Sequence, residues 1–88
     1  MFPILRTSEL SVALGRSRAT LHRDIKEQLL PPPFQIGKRA VAWPKFEIDL
    51  VLAARFAGKS DLEIKTLVAK LVSERPTTLK KLFEEVAV

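Results

Sequence analysis

The chain reads as mainly α with a small β-hairpin, a winged helix-turn-helix followed by two C-terminal helices, and three observations predict it. Two short helical patterns meet at Gly15, a run of Pro31, Pro32 and Pro33 stops the second of them, and two alternating apolar segments fold at Gly37. Basic residues sit at both folds.

The first helix is expected to begin at Thr7 or Ser8, either of which can accept a hydrogen bond from a free first-turn amide, and Leu10 with Leu14 gives it an apolar pair. Gly15 ends it, because glycine adopts the left-handed conformation that helix ends favour. Ser17 caps the next helix, expected to run to about Leu29 with Leu21, Ile25 and Leu29 in one stripe and Arg18, Thr20, His22, Arg23 and Lys26 on the opposite face. The short turn of Gly15, Arg16 and Ser17 favours a steep crossing rather than a long hairpin. The three prolines lack amide hydrogens and disfavour helix in the residues before them, so the second helix is over by Leu30. With no second proline-rich repeat, a rigid stop is preferred to a ligand for a proline-binding module.

Phe34 and Ile36, then Val41 and Trp43, predict a hairpin whose tip carries Lys38 and Arg39 and whose four apolar residues lie on the helices. Pro44 suits the first turn of a third helix with Phe46, Leu50, Ala53 and Ala54 or Phe56 on its inner face, ending at Gly58. Ser60 and Glu63 form a capping-box pattern for a fourth helix, striped by Ile64, Leu67, Val68, Leu71 and Val72 and broken at Pro76. A last short helix, capped by Thr77 or Thr78, would carry Leu79, Leu82, Phe83 and Val86. The expected division is a DNA-binding unit over residues 1–58 and a helical extension over residues 59–88.

At 88 residues and 47% apolar content there is room for one small domain of modest stability. The formal charge of +5 is unevenly placed. Residues 1–45 hold eight Lys or Arg against three acids, and residues 46–88 hold seven against seven, so the whole excess lies in the N-terminal half. Such a field points to a phosphate-contacting, salt-sensitive surface and to double-stranded DNA as partner. The absence of cysteine excludes disulfides and thiolate metal sites. No run approaches the ~18 apolar residues of a membrane span, and Arg6 interrupts the apolar start, Met1 to Leu5, too early for a signal peptide. A cytoplasmic, nucleoid-associated protein is expected, with no membrane partner.

A recognition helix presents donors to base edges from its N-terminal end, and Arg16, Ser17, Arg18, Thr20, His22, Arg23 and Lys26 stand at or after that end of the second helix. Taken alone they are equally well an ordinary solvated face. Lys38 and Arg39, where a wing would reach a minor groove or a phosphate, add a second basic site that solvation does not require. His22, the sole histidine, has no carboxylate or thiol at ligand spacing, so neither metal binding nor catalysis is expected of it. Trp43 alternates with Val41, which favours burial over stacking on a base. No cofactor site and no enzyme activity are expected.

The run Thr20, Leu21, His22, Arg23, Asp24, Ile25, Lys26, Glu27, then Pro31 and Pro33, then Ile36, Gly37, Arg39, Ala40, Val41 and Trp43 resembles the AlpA-type phage regulators, relatives of MerR-like winged helices and of phage excisionases. The resemblance covers about residues 4–56. It implies a recognition helix from Ser17 to Lys26 with Arg18, Thr20, Arg23 and Lys26 facing DNA, and Arg39 in the wing. Gln28 stands where the family often has glycine, and His22 where an aromatic is common. The function implied is that of a sequence-specific DNA-binding transcriptional regulator, with an excisionase that bends attachment-site DNA for an integrase as the alternative. A protein-interaction adaptor acting through the C-terminal helices is the rival from another class. Those helices are expected to expose more apolar stripe than the core can cover, and so to make a homodimer or cooperative multimer or to hold an integrase or RNA polymerase; capping of the same core is the alternative.

Overall fold

The computed structural model describes residues 3–86, apart from the side chains of Leu82, Phe83, Glu85 and Val86. Met1 and Phe2 of the apolar start, and the side chains expected to stripe the end of the last helix, lie outside the described residues. The element order is β1 (Ile4–Arg6), α1 (Thr7–Leu14), α2 (Arg18–Lys26), β2 (Phe34–Gln35), β3 (Val41–Pro44), α3 (Lys45–Phe56) and α4 (Asp61–Val86).

The chain passes from β1 into α1 with no residue between them. Thr7 is therefore already helical, and the cap is made by Glu9, whose Oε1 accepts the Arg6 amide at 2.9 Å, rather than by a Thr7 or Ser8 hydroxyl. Gly15 ends α1 at φ 64°, as expected. Ser17 caps α2 by accepting the Thr20 amide at 3.2 Å. The helix stops at Lys26, earlier than its apolar spacing suggested, because Gln28 takes φ 64° and the Leu29 amide turns back to the Asp24 carbonyl at 2.8 Å. Leu29 consequently leaves the stripe of Leu21 and Ile25 and joins a different apolar cluster.

The sheet has three strands in the order β1-β3-β2, all neighbours antiparallel. The sequence indicated only the hairpin of β2 and β3. Its register also differs by one residue from expectation: Phe34 pairs with Ala42 and Gln35 with Val41. Directly paired residues share a face, so this slip separates the four expected apolar residues. Val41 and Trp43 face the helices, while Phe34 shares the other face with Ala42, and Ile36 is exposed. Ala42, in register with both Arg6 and Phe34, is fully buried.

Two apolar clusters form. Leu10, Leu21, Leu30, Trp43 and Ile48 make the first; Leu29, Val51, Ile64, Val68 and Leu71 make the second. Trp43 is buried as expected, and its indole N–H donates to the Pro31 carbonyl at 2.8 Å. The inner face of α3 is only partly the expected one: Ala54 packs against the second cluster, but Ile48 and Val51 are the buried residues, whereas Leu50 and Phe56 are exposed. The reason lies beside Ile48, where Glu47 is also buried. Its carboxylate is held by the Arg75 guanidinium of α4, Nε to Oε2 at 2.9 Å and a terminal nitrogen to Oε1 at 2.6 Å. An acid on the inner face disguises the stripe.

Ser60 and Glu63 cap α4 reciprocally, the Ser60 amide donating to Oε1 at 3.2 Å and the Glu63 amide to Oγ at 3.2 Å. The Ser60 amide and hydroxyl, followed by the nearby Lys59 charge, hold the Glu63 carboxyl below its ordinary value. The helix continues through Pro76 instead of breaking, so the separate last helix is absent. Beside the proline, Arg75 holds the helix to the rest of the domain: besides Glu47 it donates to the Pro32 carbonyl at 2.8 Å. The apolar stripe of α4 is covered by Leu29 and Val51 of this same chain, with Leu67 and Val72 packed partly buried against the cluster.

Candidate nucleic-acid interface

The second helix presents its two sides differently. Leu21 and Asp24 are buried and Ile25 packs partly buried on the first cluster, while Arg18, Ala19, His22, Arg23 and Lys26 are exposed. At 3.6 residues per turn these five fall within an arc of about 140°. Among the described residues, the side chains of Arg18, His22, Arg23 and Lys26 carry no hydrogen bond or ion pair and are free to donate. Because the opposite side is anchored in the core, the arc is a rigid platform.

The other residues of this group are occupied. Ser17 Oγ takes the Thr20 amide and lies 2.9 Å from Thr20 Oγ1, so both hydroxyls are engaged in the cap, at the edge of the arc. Arg16 Nε lies 3.0 Å from Oδ2 of Asp24, whose side chain is almost wholly buried. The Arg16 carbonyl accepts the Ser11 hydroxyl at 2.5 Å, and its amide reaches the Ser11 carbonyl at 3.1 Å. Arg16 thus locks the turn between α1 and α2. Asp24 could have been suspected from sequence, since an acid three residues after Leu21 and one before Ile25 stands on the apolar stripe.

Lys38 and Arg39 are exposed on the loop that joins β2 to β3, which the Ile36 amide closes onto the Ala40 carbonyl at 2.9 Å. Arg39 does not stand apart from α2. It lines a surface groove with Arg18 and with Arg6, the last residue of β1. Arg6 is not among the residues expected from sequence; its place directly before the first helical turn is the signal that marks it. His22, Arg23, Lys26 and Lys38 lie outside this groove.

The described residues contain no group of three or more His, Asp or Glu side chains that could hold a metal ion. No helix among them is long and apolar enough to cross a membrane.

Comparison with known proteins bears on the same part of the chain. The uncharacterized protein ORF88 of Enterobacteria phage P4 is 34% identical over 55 residues, which make up 62% of this chain and 62% of that protein. The matched segment therefore spans less than two thirds of the relative. No solved structure matches. The family described as Prophage CP4-57 regulatory protein (AlpA) matches residues 3–55, a segment that contains the sheet, both helices of the helix-turn-helix and nearly all of α3. On that match the chain belongs to the AlpA family of phage regulatory proteins.

Proposed function

We propose that the protein is a sequence-specific double-stranded DNA-binding regulator of transcription, with α2 entering the major groove and the loop between β2 and β3 acting as a wing on the flanking backbone. The observation that carries this reading is the free, exposed arc of Arg18, His22, Arg23 and Lys26 on a helix whose other side is fixed in the core. Guanidinium groups so presented suit guanine edges and phosphates. Arg39, on a separate element, supplies a second contact. The N-terminal excess of positive charge supports both.

The test is a selection of bound duplexes from random DNA, followed by affinity measurement across salt. With five phosphate contacts, log affinity falls against log salt with a slope of about −4.5. Arg23→Ala weakens the selected site by ~1–3 kcal/mol and relaxes one base position, whereas Arg39→Ala weakens all sequences alike. Half-site spacing in the selected duplexes reports whether a homodimer binds. An absence of measurable duplex binding at low salt overturns the reading.

A further inference from the structure

We propose that Arg6, Arg18 and Arg39 act together as one clamp on a single DNA backbone phosphate, a contact that sets how α2 sits in the groove; this rests on the DNA-binding reading above. The three residues come from β1, the first position of α2 and the wing loop, yet they line one groove together with Thr7, Ser8 and Glu9. Glu9 is the one acid among the residues that line the groove, and its carboxylate already accepts the Arg6 amide. Among the described residues none of the three guanidinium groups has a hydrogen-bond or ion-pair partner.

Arg16 shows how this chain treats an arginine that serves the fold: it is placed 3.0 Å from a buried aspartate. The groove arginines have been given no such counter-ion. Three arginines lining one groove suit an anion with several acceptor oxygens, which can receive charge-assisted, bidentate hydrogen bonds. A phosphodiester has that form. Arg18 precedes Arg23 by five residues, about 7.5 Å along the helix axis, so a phosphate held at the groove fixes the depth at which Arg23 and Lys26 meet base edges.

The experiment uses the full chain and its selected duplex, with single phosphates replaced in turn by neutral methylphosphonates. One position is expected at which neutralisation weakens native protein about tenfold and barely changes the binding of Arg6→Gln or Arg39→Gln, each of which is already weakened about as much. The double variant is expected to be little weaker than either single one, because all three changes remove the same contact. Thermal melting by circular dichroism checks that the variants fold, and Arg6→Lys, which keeps the charge but loses the bidentate fork, gives an intermediate loss. Native-like affinity of Arg6→Gln, or additive losses that map to different phosphates, overturns the clamp and leaves specific DNA binding standing. Failure of native protein to bind any duplex overturns both.

Discussion

Replacing Arg75 with methionine keeps most of the side-chain stem but removes the guanidinium that meets Glu47. The Glu47 side chain is 1% exposed and that of Arg75 21%, so the variant leaves a buried carboxylate without its partner. Breaking such a pair costs ~3–5 kcal/mol, and the partial exposure of Arg75 places this case near the lower figure, about 3 kcal/mol. For a chain of 88 residues, the usual stability range corresponds to ~4–13 kcal/mol. An unfolding entropy of ~2.1 cal/mol/K per residue then converts the loss into a fall in Tm of about 16 °C. Urea and thermal unfolding followed by circular dichroism measure it. Adding Glu47→Leu to Arg75→Met removes the stranded charge and recovers most of the loss, since an apolar replacement of both partners is close to neutral. The reasoning is refuted if Arg75→Met unfolds within ~0.5 kcal/mol of the native protein, or if the double variant is no more stable than the single one.

Two further predictions concern the backbone. Gln28 holds φ 64° without being glycine; Gln28→Gly relieves ~1–2 kcal/mol of left-handed strain against ~0.5–1 kcal/mol of added unfolded-state freedom, so urea unfolding should show a net gain of up to about 1.5 kcal/mol, and a loss would assign the Gln28 side chain a holding role at the exit of α2. Because α4 runs unbroken through Pro76, Pro76→Ala restores an interior helix hydrogen bond and should slow amide exchange from Thr77 to Lys81 in NMR spectra, whereas faster exchange there would contradict a continuous helix.

The features legible in the sequence were those whose causes are local. Gly15, the Ser17 cap and the Ser60–Glu63 box each act within a few residues, and the structure contains all three. Spacing also identified the apolar residues of α4 through Val72, although not what covers them. What escaped depends on partners distant in sequence. A three-residue strand such as β1 has no pattern of its own and exists because β3 offers it an edge. The inner face of α3 was hidden because Glu47 is tolerated there only with Arg75, 28 residues later. Alternation within each strand does not determine how the two strands are offset, and the observed pairing of Phe34 with Ala42 puts Phe34 and Ile36 on the face opposite Val41 and Trp43. For the proposed site, residue type and position pointed to Arg18, Arg23, Lys26 and Arg39, and the structure leaves all four exposed. Distinguishing Arg16 as a locked residue required the position of Asp24, and seeing Arg6 beside Arg39 required the sheet.

Pro31, Pro32 and Pro33 do more than bar a helix. They also form a stretch of backbone that can only accept hydrogen bonds. Two of their carbonyls are claimed from opposite directions, Pro31 by the indole of β3 and Pro32 by the guanidinium of α4. The segment between α2 and β2 is thereby a junction that ties β3 and α4 to the same stretch of backbone. Loosening α4 removes the second of these hydrogen bonds, just after the exit of α2. The end of α4 and the exit of α2 are thus joined through one short segment that offers acceptors alone.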